Sequence, residues 1–255
     1  MAASVPSSTG DIKPGEAGRI LIVVHQAHST PGRVGLKLTA LGYELDIRRP
    51  CIGHGLPKNL DEYAGAVMFG GPQSANDCEP YLAGEMDLIG CALKEEAPFL
   101  GICLGAQMLV RQLGGKVAPH REGRAEIGYY PIQPTGAGTQ LMDAWPGHVY
   151  QWHREGFDVP AGAEMLARSD GDFEVQAIRA GQSAFGIQFH PEVTRLMIHR
   201  WTTKAAHRLE LPGAQPREAH IAGRFLYDDA VDCWLEAFLD LWLKTDRRSE
   251  ALAAE

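Results

Sequence analysis

The chain has 255 residues, 45% of them hydrophobic and 22% charged, which is the composition of an ordinary globular protein and a length that can bury a full α/β core. A formal charge of −8 without clustered Lys and Arg excludes nucleic acid or an anionic membrane as the main partner. No run of about 18 apolar residues is present, so no transmembrane helix is expected.

Residues 1 to 18, rich in Ser, Pro, Gly and Ala, have no hydrophobic period and are expected to form a disordered leader. The folded part should begin at Arg19, where Ile20 to Val24 is a continuous aliphatic run of the kind found in parallel strands covered on both faces. Val34 to Leu41 carries apolar residues at helical spacing and ends at Gly42. Tyr43 to Ile47 and Ala66 to Phe69 read as strands, Tyr81 to Leu93 as a helix, Pro98 to Ile102 as a strand and Leu104 to Leu113 as a helix closed by Gly114 and Gly115. This alternation predicts an α/β fold with a doubly wound, mostly parallel central sheet. Shorter runs around Tyr129, Val149, Met165, Val175 and Phe185 are expected to extend that sheet with antiparallel strands.

Residues 209 to 224 contain two prolines and two glycines and read as a loop between helices. In the last helix Val231, Trp234, Leu235, Phe238 and Trp242 recur on one face, with Asp228 and Asp229 as candidate caps. That face should dock on the core, and a homodimer through it is the competing use. The expected organisation is one domain over 19–208, with the loop and helix of 209–255 packed on it. Five cysteines, Cys51, Cys78, Cys91, Cys103 and Cys233, form no close pairs, and no signal-peptide core is visible, so a reducing, cytoplasmic setting is expected.

Three segments carry chemistry. In Pro98-Phe-Leu-Gly-Ile-Cys-Leu-Gly-Ala-Gln107 an apolar strand runs into a helix with Cys103 between Gly101 and Gly105. This has the form of a nucleophile elbow, where small neighbours relieve a crowded turn and the helix N-terminus favours the thiolate. Alone, it is equally compatible with a buried structural cysteine. In Ala184-Phe-Gly-Ile-Gln-Phe-His-Pro-Glu192 a strand ends at His190, with Glu192 two residues on. A thiol nucleophile needs an imidazole to share its proton, and the imidazole needs an acceptor to fix its tautomer, so Cys103, His190 and Glu192 are the candidate triad. Met68-Phe-Gly-Gly-Pro-Gln-Ser74 places a glycine pair after a buried strand, where the N–H of Gly71, with that of Leu104, could stabilise an oxyanion.

In this order the three segments resemble the class I (triad) glutamine amidotransferases, in particular the amidotransferase domain of GMP synthase and stand-alone proteins like it, over about residues 19 to 200. The resemblance implies the flavodoxin-like fold of that family and hydrolysis of the γ-carboxamide of glutamine through a Cys103 thioester. It also implies that Gly70, Gly71, Leu104 and Gln107 hold glutamine, that the Glu126–Tyr130 segment, including Tyr129, lines the pocket, and that Trp152 and His153 face it. Trp152 reads equally well as an aromatic strand end.

The resemblance further implies release of ammonia to a partner synthetase, since the roughly 60 residues after the His-Pro-Glu motif are too few for a synthetase domain and hold no phosphate loop. A γ-glutamyl peptide hydrolase using the same triad is the alternative, and a non-catalytic regulatory or binding subunit is the alternative of another class. No cofactor is implied. His25 with His28, or Cys51 with His54, lacks the further ligands a metal site needs, so no metal is expected.

Overall fold

The computed structural model describes Gly15 and residues 17–253, with side chains as far as Lys244. Most of the expected leader therefore lies outside the described residues. The chain opens with β1 (Arg19–Val23), α1 (Gly32–Ala40), β2 (Glu44–Arg48), β3 (Gly65–Met68), α2 (Pro80–Lys94), β4 (Phe99–Ile102) and α3 (Leu104–Gln112). It continues through β5 (Val117–Pro119), β6 (Glu126–Pro131), β7 (Gln133–Pro134), α4 (Gly136–Leu141), β8 (His148–His153) and β9 (Glu155–Phe157). The last elements are β10 (Ala163–Arg168), β11 (Val175–Ala180), β12 (Ala184–Ile187), α5 (Arg195–Lys204) and α6 (Arg217–Ala253), with short 3₁₀ turns at Pro50–Ile52 and Ala206–Glu210.

Eight strands form the main sheet in the order β2-β1-β3-β4-β12-β11-β10-β7. The first five are parallel and the last three antiparallel, so the α/β fold with an antiparallel extension is as the sequence pattern predicts. The helix-covered strands β1, β3, β4 and β12 are almost wholly buried, which is why they read as unbroken apolar runs. One expectation is corrected: the runs around Tyr129 and Val149 do not join this sheet. They are β6 and β8, which pair with each other in a separate antiparallel ribbon. β5 and β9 form a second ribbon.

The expected loop through residue 224 is also shorter than read, because α6 begins at Arg217. Asp228 lies inside this helix rather than at its cap, where it accepts a hydrogen bond from the Tyr129 hydroxyl and faces Arg33 and Arg224. Gly223, which reads as a helix breaker, sits where a Cβ would come within 2.4 Å of the Tyr129 ring, so its missing side chain lets α6 approach β6. Val231, Trp234, Leu235, Phe238 and Trp242 are buried in the core cluster on one face of the sheet, with Ile20, Ile22, Phe185 and Phe189. The tryptophan face is thus consumed within the chain and is not available for a dimer contact.

Candidate active site

The parallel strands run in the order second, first, third, fourth, fifth, and ligands of such sheets bind beyond the carboxyl ends of the strands. Four chain segments leave those ends and meet there: His25 after β1, Gly70-Gly71 after β3, Cys103 after β4 and His190 after β12.

Cys103 has φ 52° and ψ −104°, a left-handed conformation costly for a side chain with a Cβ. The surroundings enforce it. The Cys103 N–H donates to Ile187 O at 2.8 Å and its carbonyl accepts from Gln107 N at 3.0 Å, which pins the residue between β12 and the first turn of α3. A Cβ at Gly105 would lie 2.1 Å from Met68 O, and one at Gly101 would lie 2.5 Å from the Gly105 backbone, so both glycines are required for the elbow to close against β3. Leu104, the first residue of α3, keeps an N–H with no intrahelical acceptor beside Cys103.

His190 is buried, and its N–H donates to Tyr150 O at 2.8 Å. Its Nδ1 meets Glu192 Oε1 at 2.7 Å, which leaves Nε2 on the other side of the ring. Nε2 makes no hydrogen bond of ordinary geometry, but Cys103 is close enough to act on the imidazole electrostatically. Burial works against the imidazolium, yet the charges of Glu192 and Cys103 outweigh it, and the His190 pKa is raised to about 10. Trp201 packs edge-on against the ring at 5.1 Å. Glu192 is itself fixed from behind, since its backbone carbonyl accepts from Arg33 N at 2.9 Å at the start of α1. Gly32, with φ 52°, admits this contact, and a Cβ there would lie 2.1 Å from that carbonyl.

Behind the glycine pair lies a dyad that sequence spacing does not reveal. His25 and Glu85 are both fully buried, with Nε2 2.9 Å from Glu85 Oε2 and Nδ1 3.3 Å from Gly70 O. The Gly70 carbonyl is therefore drawn inward. In a planar trans peptide the N–H lies opposite the carbonyl, so the Gly71 N–H is turned the other way. The signals were present but indirect: Glu85 interrupts the apolar face made by Leu82, Leu88 and Ile89, and His25 directly follows a buried strand.

A cleft of about 560 Å³ opens over these groups. Gly70, Gly71, Cys103, Trp152, His190 and Glu192 line it. Gln107, His153 and Tyr129 are not among the residues that line it. The Gln107 amide nitrogen donates to Glu155 O at 2.9 Å, beneath the elbow. The His153 ring is held by Glu155 O and Glu126 on a buried polar network. Tyr129, bonded to Asp228, packs against Tyr150 and Tyr227, and the Glu126–Tyr130 strand does not line the cleft. Trp201 and Arg208 do line it, on a segment with no motif of its own. Among the described residues no three His, Cys, Asp or Glu side chains gather as metal ligands, and His25 is occupied by Glu85 and Gly70.

Fold and site define an α/β protein with a cysteine held in a strained elbow beside a histidine–carboxylate pair. The family profile "Glutamine amidotransferase class-I" matches residues 32–197. A glutamine amidotransferase-like protein of Salmonella typhimurium, YfeJ, is 34% identical over 186 residues, covering 69% of this chain and 76% of that protein. The GMP synthase [glutamine-hydrolyzing] of Prochlorococcus marinus is 33% identical over 133 residues, which span 51% of this chain but only 24% of the synthase. A glutamine amidotransferase of Thermotoga maritima superposes with a TM-score of 0.80 at 30% identity, covering 90% of this chain and 99% of that one. One from Methylobacillus flagellatus superposes with a TM-score of 0.82 at 26% identity, covering 92% and 95%. The chain belongs to the class I glutamine amidotransferase family.

Proposed function

We propose that the protein hydrolyses the γ-carboxamide of glutamine through a thioester on Cys103, releasing glutamate and ammonia for an acceptor or a partner synthetase. The observation that carries this reading is the convergence of the strained Cys103 elbow with a His190 whose Nδ1 is bound to Glu192, at the floor of an open cleft.

The Cys103 thiolate attacks the side-chain amide carbon, and the resulting oxyanion is received by the N–H groups of Gly71 and Leu104. His25 and Glu85, which hold the Gly70 carbonyl inward, keep the Gly71 donor aimed. When the C–N bond breaks, His190 Nε2 gives its proton to the departing nitrogen, leaving a γ-glutamyl thioester and a neutral imidazole. Water then attacks the thioester while His190 takes its proton. The C–S bond breaks, glutamate leaves, and the thiolate–imidazolium pair is restored. Glu192 holds the imidazole orientation in both halves.

A second reading, a γ-glutamyl peptide hydrolase, is favoured by one observation: the cleft is of the size that takes a drug-sized ligand, larger than one amino acid needs. Glutamate release from L-glutamine and from γ-glutamyl dipeptides, with Cys103→Ala as control, separates the two. Ammonia from glutamine supports the amidotransferase reading, and amine release from dipeptides alone supports the hydrolase. Silence on both supports a regulatory subunit. A reducing, cytoplasmic setting is part of the proposal and is supported by five unpaired cysteines.

A further inference from the structure

The charge of the catalytic cleft opposes that of the chain. Arg200, Lys204 and Arg208 line it, and its one carboxylate, Glu192, is committed to His190. The chain as a whole carries −8. Arg208, on the 3₁₀ turn after α5, is half-buried, and among the described residues its side chain has no hydrogen bond or ion pair. Other arginines do find carboxylates: Arg48 has Asp46, Arg124 has Asp172 and Arg179 has Glu164. Burial, and next the like charge of Arg154, weigh against the Arg208 guanidinium, whereas Cys103 is near enough to favour it. A guanidinium cannot shed its proton to escape this cost, and an anion in the cleft would offset it.

The position of these cations says which end of a substrate they meet. The departing nitrogen takes its proton from His190, so the leaving group emerges on the His190 side. Trp201 packs on that ring, and the same segment runs on through Lys204 to Arg208. We propose that Arg208, with Arg200 and Lys204 at the rim, binds a carboxylate carried by the leaving group. This deepens the second reading above: the substrates that gain from the subsite are γ-glutamyl amino acids or peptides, whereas ammonia leaving from glutamine carries no carboxylate for it. The inference rests on the γ-glutamyl amide chemistry proposed for Cys103.

The test uses calorimetric binding to the Cys103→Ala protein, which needs no turnover, with two probes of nearly equal size: γ-glutamylglycine and γ-glutamylglycinamide. Charge-assisted hydrogen bonds predict about tenfold tighter binding, or more, for the carboxylate probe. Adding Arg208→Ala should reduce the ratio to within about twofold, and Arg208→Gln, closer in volume, should do the same. Equal affinity for the two probes overturns the subsite, as does an Arg208 substitution that weakens both equally, or no binding of either. Failure of the wild-type protein to release glutamate from any γ-glutamyl amide would instead count against the hydrolytic chemistry.

Discussion

Gly70 packs against the side chains of Cys103 and His190, and Gly70→Ala should convert that packing into a measurable loss. An ideal Cβ there lies 2.8 Å from His190 Cε1 and 3.4 Å from Cys103 Cβ. Carbon atoms rest at about 3.5–4.0 Å, so the imidazole has to recede by roughly 0.7–1.2 Å. It cannot do so freely, because Nδ1 is held 2.7 Å from Glu192 and Trp201 packs on the ring. Overpacking of this kind costs about 1–3 kcal/mol in stability, and a displacement of about 1 Å at a reacting group costs about 10²-fold in rate. Steady-state glutamate release should therefore show kcat reduced about 100-fold with KM little changed. Thermal unfolding of the same preparation should confirm a folded protein. A folded Gly70→Ala protein with kcat within about twofold of wild type would refute the placement of His190 against this loop.

The His190 pKa sets the pH profile. Burial opposes the imidazolium, but Glu192 and Cys103 raise its pKa to about 10, so the charged ring is present through neutral pH and is lost as pH rises through that value. The alkaline limb of kcat/KM should fall there, and Glu192→Gln should move it to lower pH. An unmoved limb would assign it to another group. His25→Ala removes the buried donor to Gly70 O, so stability should drop by about 1–3 kcal/mol and kcat by up to about 10²-fold through a misdirected Gly71 N–H. A pure loss of stability with normal kcat in the folded fraction would make the His25–Glu85 pair structural only.

What was legible in the sequence is what local chemistry dictates. The apolar runs of β1, β3 and β4 announce a buried parallel sheet, and Gly101-Ile-Cys103-Leu-Gly105 announces its own elbow because the crowding that demands Gly101 lies within the motif, whereas Gly105 answers to Met68 O on β3. His190 and Glu192 are two residues apart, so their pairing is likewise local. The missed features are relations between distant residues. His25 finds Glu85 sixty positions on, and Tyr129 finds Asp228 ninety-nine positions on. Tyr129 thereby ties β6 to α6. Gly223 reads as a breaker because its partner, the Tyr129 ring, is invisible in sequence. Arg208 stands out only once the fold half-buries it on the cleft with no hydrogen bond or ion pair among the described residues.

The most direct measurement is mass spectrometry of the wild-type protein quenched in acid during turnover of L-glutamine or γ-glutamylglycine, with Cys103→Ala alongside. The account predicts a γ-glutamyl adduct on the peptide containing Cys103, glutamate release in the same samples, and neither in the variant. Glutamate release that persists at the wild-type rate in Cys103→Ala would contradict it.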